Sequence, residues 1–149
     1  MNKDPKTIFI SCADEDVQEA LWIKEGLSAA GWTAYVAKTD LDDGGGSIAF
    51  RKAIDNVLDR AVCLVLVVTP SALSSAWVEY EWESVHLDML NGLGGAIVPI
   101  WVSGDAQRRW PRPLRRFSPI DAVNQGHEQV VELLDKRLRQ NTKAGGNPR

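Results

Sequence analysis

The stretch Ala61-Val62-Cys63-Leu64-Val65-Leu66-Val67-Val68, followed across Thr69-Pro70 by Ser74-Ser75-Ala76-Trp77-Val78-Glu79-Tyr80-Glu81-Trp82, decides how this chain folds. An unbroken apolar run of strand length predicts a strand covered on both faces, the pattern of a central strand in a parallel sheet. Ser74 or Ser75 is placed to cap a helix, since a short side-chain oxygen satisfies backbone N–H groups that have no partner in the first turn. That first turn is acidic, as the helix dipole favours. Counting from the cap, Val78, Trp82, Val85 and Met89 recur at helical spacing and form the stripe that faces the core. Trp77, Glu81, Ser84 and Asp88 form the neighbouring stripe, which sets an aromatic ring and a carboxylate one turn apart at the rim of the core.

Outward from this centre the alternation continues. Residues 1–6 are a polar lead-in, and 7–11 read as a short strand ending in a polar turn. The acidic segment Asp14-Glu15-Asp16 opens a helix whose apolar positions Val17, Ala20, Leu21, Ile23, Leu27 and Ala30 keep helical spacing until Gly31 ends it. Residues 32–36 read as a second strand, and 37–47, polar, acidic and glycine-rich, as a mobile exposed loop. Ile48, Phe50, Ala53, Ile54, Val57 and Leu58 describe a further amphipathic helix leading into the central strand. The helix beyond that strand closes near Asn91-Gly92 and gives way across Gly94-Gly95 to a fourth strand over 96–102. A Pro-rich basic loop over 108–116 then leads through Ile120-Asp121, a short edge strand, to a last helix over 128–138. Residues 141–149 read as a flexible tail or linker, which leaves one domain over 7–140.

With 149 residues, 44% of them apolar, the chain can build one good core and not two. Its net charge of -3 makes no electrostatic case for nucleic acid, which requires a basic face. The basic loop reads as solvated first and as a contact for an acidic partner or ligand second. Cys12 and Cys63 read as small buried side chains in or beside strands, neither a disulfide nor a metal site, which suits a reducing compartment. Nothing resembles a signal peptide or a bilayer-spanning run, so a cytoplasmic location with no membrane contact is expected.

Strand and helix alternate with short connections, so the expected class is α/β, an open, mostly parallel sheet with helices on both faces. Right-handed crossovers bring the loops over 11–16, 37–47 and 69–77 to one edge, at the carboxyl ends of the strands, with Glu81 near it. Familiar chemistries of that edge fail here. Gly92-Leu93-Gly94-Gly95 follows a helix and precedes a strand, so it is a helix stop and not a phosphate loop. Gly44-Gly45-Gly46 lacks the lysine and threonine of a P-loop and is preceded by Asp40, Asp42 and Asp43. A phospho-accepting receiver needs an aspartate where Val68-Thr69 stand. His86 and His127 are too far apart in sequence to pair on a helix, so no metal site is expected. One carboxylate remains at the edge, Glu81, with Trp77 beside it.

The ordered set of motifs resembles the Toll/interleukin-1 receptor (TIR) domains, particularly bacterial ones, over roughly residues 7 to 138. Phe9-Ile10-Ser11 followed by Asp16 is similar to the family's first box. Leu41 and Gly44 fall where its second-box loop, the BB loop, carries a leucine and a glycine. Val65 to Pro70 resembles the strand-three motif, Ile97-Val98-Pro99-Ile100 the next strand and Ile120-Asp121 the last. Ser74, Trp77 and Glu81 match the Ser-x-x-Trp-x-x-x-Glu pattern of TIR domains that hydrolyse NAD. Cys12 replaces the usual first-box tyrosine, and Ala37 an acidic residue at the end of strand two.

The resemblance implies a flavodoxin-like fold of about five strands in the order 2-1-3-4-5. It implies an NAD+ glycohydrolase that releases nicotinamide and either ADP-ribose or a cyclic ADP-ribose isomer, with NAD+ as substrate and no cofactor. Glu81 would be catalytic, stabilising the cationic ribose, and its place near a helix start suggests that it stays ionised. Trp77, Phe9, Ser11, Asp40 and Ser74 would meet substrate. Leu41, Asp42, Asp43, Gly44, Gly45 and Gly46 would form the BB loop that joins TIR domains, with self-assembly as the switch and a sensor domain as a further partner, in antiviral or cell-suicide signalling. The alternative is a non-catalytic TIR module that signals by association alone.

Overall fold

The computed structural model describes residues 3–41, 47–103 and 111–145. In chain order its strands and α-helices are β1 (Asp4–Ser11), α1 (Val17–Ala29), β2 (Thr33–Val36), α2 (Ser47–Arg60), β3 (Ala61–Val68), α3 (Pro70–Leu73), α4 (Ala76–Leu90), β4 (Ile97–Trp101), β5 (Ile120–Asp121) and α5 (His127–Gly145). Among the described residues the strands form one five-stranded sheet in the order β2-β1-β3-β4-β5, parallel throughout. This is the fold class and strand order expected from the sequence. Leu64 to Val68 are completely buried, as a central strand covered on both faces requires.

Alternation along the strands sorts the core into two layers. Ile8 and Ile10 of β1, with Cys63, Val65 and Val67 of β3, face α1 and α5. Phe9 of β1, with Leu64, Leu66 and Val68 of β3, faces α2 and α4. Ser11 continues the Phe9 side and so points toward α4, where it meets Glu81. On the other layer α1 and α5 pack closely because Gly26 has no side chain. A Cβ there would lie 2.5 Å from Cγ2 of Val131.

Several boundaries differ from the sequence reading for local reasons. Ala37–Leu41 is a single wide helical turn and not featureless loop, closed by the carboxylate of Asp40, which accepts from the Val36 N–H at 2.7 Å. The predicted loop residues 42–46 lie outside the described residues. Between β3 and α4 stands a turn of helix, α3, with Pro70 at its first position and the Thr69 hydroxyl accepting from Ala72 N–H at 3.0 Å. Arg112–Arg116 forms a short 3-10 turn anchored by the fully buried Leu114. At the other end, α5 starts at His127 and continues past residue 138 to Gly145. Arg139 holds it there by bonding Asp135 at 3.0 Å and the Ala30 carbonyl at 3.1 Å. The remainder of the expected tail, 146–149, lies outside the described residues. Gly92, Gly94 and Gly95 all have positive φ, which is the helix stop and strand entry expected of that cluster.

Candidate functional site

In the order 2-1-3-4-5 the connections from β1 and β3 leave in opposite directions, so the sheet opens a crevice between the carboxyl ends of these neighbours. A cleft of about 540 Å³ occupies that place. Its floor carries Glu81, and its walls include Trp77, Phe50, Lys38, Cys12 and Ser74. A part-buried link ties the loop after β1 to the loop after β3. Thr69 donates its hydroxyl proton to Asp16 at 2.5 Å while accepting from Ala72 N–H. The first-box aspartate therefore holds together the two loops that border the cleft.

Helix α4 brings Glu81 to the floor. Ser75 caps it, its Oγ accepting from Val78 N–H at 3.2 Å. Val78, Trp82 and Val85 are buried against the sheet and Met89 packs on the same core, as the spacing predicted. Glu81 is 4% exposed, and its Oε1 accepts from the Ser11 hydroxyl at 2.6 Å. Burial pushes its carboxyl up to about 7, and the Ser11 bond opposes that shift. The expectation that the helix start keeps Glu81 fully ionised is thus corrected. Glu81 lies in the second turn, where the dipole has faded, and desolvation is the larger effect.

The side walls differ in character. Trp77, 40% exposed, has Phe50 against it at 5.7 Å between ring centroids with planes 61° apart, and Tyr80 edge-on at 6.0 Å. The Arg51 guanidinium lies 5.9 Å from the Trp77 ring, and Tyr80 donates to Asp55 at 2.6 Å. This aromatic wall is consequently braced from α2. Opposite it, Asp14 and Glu15 make the mouth acidic, and Lys38 is the one cation among the described wall residues. The Cys12 thiol is pushed up to about 12 by burial, then by the charges of Glu81, Asp16 and Asp14. It stays protonated and is no nucleophile.

Of the candidate residues named from sequence, Glu81, Trp77 and Ser74 line the cleft. Ser11 does not line it and sits behind Glu81. Phe9 is fully buried in the α2–α4 core layer and does not reach the walls. Asp40 turns to Lys24 of α1, at 2.5 Å, and to the Val36 N–H. Leu41 packs against the core layer, and Asp42, Asp43, Gly44, Gly45 and Gly46 lie outside the described residues. The reading missed Phe50, Lys38 and Cys12 as wall residues. Phe50 carried only the spacing of a core position, and a single lysine in a polar loop carries no signal until the strand order brings it beside β1.

A family model for the TIR domain matches residues 8–138. Two relatives are similar over most of the chain. The stimulator of interferon genes protein of Magallana gigas is 26% identical over 134 residues, which is 86% of this chain and 31% of that protein. The 2′ cyclic ADP-D-ribose synthase BtTIR of Bacteroides thetaiotaomicron is 27% identical over 128 residues, 85% of this chain and 42% of that one. The chain thus spans less than half the length of either. Among solved structures, the heterodimer of the RPS4 and RRS1 TIR domains superimposes with a TM-score of 0.65 at 18% identity, covering 96% of this chain and 99% of the matched one. A strand order of 2-1-3-4-5, a glutamate-floored cleft at its switch point and a family match over residues 8–138 agree: the chain belongs to the TIR domain family.

Proposed function

We propose that the cleft binds NAD+ and breaks the bond between nicotinamide and C1′ of its ribose. The observation that carries this reading is the buried carboxyl of Glu81 in the cleft floor. As that bond breaks, its electron pair goes to the pyridinium nitrogen, which becomes neutral, and positive charge moves onto the ribose ring. An anion beside the ring stabilises this transition state more than the ground state. The leaving group needs no proton, so one carboxylate suffices where an O-glycosidase uses two. Burial leaves the Glu81 carboxyl titrating near 7, so at neutral pH the empty site holds both its protonated and its ionised form. Trp77, braced by Phe50, offers a flat wall for an aromatic ring, and Lys38 offers positive charge to the pyrophosphate.

The Bacteroides relative supports the reading, because a cyclic ADP-ribose contains every part of NAD+ except nicotinamide. Capture of the ribosyl cation by water gives ADP-ribose and a proton, and capture by a nucleophile of the substrate itself gives a cyclic ADP-ribose, a hydroxyl nucleophile losing its proton in the same step. Association with other TIR domains would then switch activity on. The matched heterodimer supports such contacts, and the exposed Trp22, Leu87, Leu90 and Leu93 are suited to them. The same side chains favour the second reading, a module that signals by association alone.

The test is NAD+ consumption by concentrated protein with and without a crowding agent, beside Glu81→Ala and Glu81→Gln, with all products separated by chromatography. Nicotinamide release by the parent and by neither variant is the expected result. A parent as inert as its variants in the assembled state would refute catalysis and favour the module.

A further inference from the structure

We propose that Ser11 is the positioning residue of the cleft: it fixes one oxygen of the Glu81 carboxylate and leaves the other to face the substrate. The proposal rests on the role of Glu81 given above. Three observations carry it. The Ser11 hydroxyl lies 2.6 Å from Glu81 Oε1, within the range of charge-assisted O–H···O⁻ bonds. Both residues are buried, Ser11 at 1% exposure and Glu81 at 4%, yet Glu81 borders the cleft and Ser11 does not. The hydroxyl therefore stands on the protein side of the carboxylate, out of reach of a ligand. Finally, burial pushes the Glu81 carboxyl up, and the Ser11 hydrogen bond acts against that shift.

The two groups arrive from separately anchored elements. Ser11 ends β1, a central strand, where it pairs with Leu66 of β3. Glu81 rides on α4, whose start is fixed by the Ser75 cap and whose buried face is fixed by Val78 and Trp82. A buried carboxylate without a partner would turn about its terminal torsion and hold its proton. One hydroxyl donor selects a single orientation and also favours the ionised form, the form that meets a ribosyl cation. A serine suits the place because its hydroxyl is short and its hydrogen rotates to either protonation state of the partner.

Full-length Ser11→Ala and Ser11→Cys test this, the cysteine filling the site with a poor donor. With NAD+ as substrate, KM is expected to stay near the parent value. The rate at pH 7 should fall about fivefold, and the rising limb of kcat against pH should move up by about one unit, with the cysteine variant between. A second readout needs no substrate: carbon-13 NMR titration of labelled glutamate side-chain carboxyls, with Glu81 assigned by its loss in Glu81→Gln. Glu81 should titrate at higher pH in Ser11→Ala than in the parent. A raised KM with an unmoved pH limb would make Ser11 a substrate contact and overturn the proposal, as would an unshifted Glu81 titration. If the parent leaves NAD+ intact, the catalytic reading fails separately. The titration then decides alone whether Ser11 governs Glu81, an unshifted carboxyl counting against the proposal and a shifted one for it.

Discussion

Replacing Glu81 by glutamine should abolish nicotinamide release and at the same time stabilise the protein above neutral pH. The carboxyl titrates at 4.5 when unperturbed and at about 7 in the fold, because it is buried. The folded state thus binds this proton more tightly than the unfolded chain does. Its contribution to stability is fully present below about pH 4.5, declines as the unfolded chain gives up the proton, and is lost as pH rises through about 7. The separation of roughly 2.5 units corresponds to about 3 kcal/mol. Glutamine has nearly the same volume, carries no charge, and keeps an oxygen to accept from Ser11, so it escapes that loss. The variant should match the parent near pH 4 and exceed it by about 3 kcal/mol at pH 8, roughly 6 to 12 °C in Tm for a domain of this size. Urea unfolding of both proteins at half-unit pH steps measures the difference, in which all other titrating groups cancel. A gap that does not change with pH, or a variant less stable than the parent at pH 8, would refute the claim that Glu81 is held in the fold at an electrostatic cost. The expected result joins the two roles of one residue: the burial that makes the charge effective toward substrate is what makes it costly in the empty site.

Further outcomes follow from the same contacts. If Glu81 acts as an anion, nicotinamide release rises with pH through about 7; a rate that falls over that range would make Glu81 a proton donor instead. Thr69→Val removes both the donor to Asp16 and the acceptor at the start of α3, so urea unfolding should show a loss of about 1–3 kcal/mol, while Thr69→Ser stays near the parent. Gly26→Ala sets helix propensity, a gain of about 1 kcal/mol, against overpacking on Val131, a loss of about 1–3 kcal/mol. Net destabilisation by about 1 kcal/mol is expected, recovered when Val131 is also trimmed to alanine and measured against Val131→Ala alone.

The sequence by itself determined the layered sheet, because the evidence for it is local. The run over 61–68 can be buried only between two layers of helix, the stripe Val78, Trp82, Val85 reads at 3.6-residue spacing, and Gly94-Gly95 admits a backbone that other residues resist. It also singled out Glu81, as the carboxylate left at the functional edge once the other chemistries were excluded. What it could not supply was anything set by the meeting of distant segments. Asp40 read as a loop acid and proved to close its own turn and hold Lys24. Phe9 and Ser11 read alike as site residues, yet one went into the core and the other behind the carboxylate. Above all, the protonation of Glu81 was read from the helix start, a local feature. Only the tertiary structure decided it, because desolvation depends on everything packed around a group, and the residue that opposes it, Ser11, lies 70 positions away in the chain.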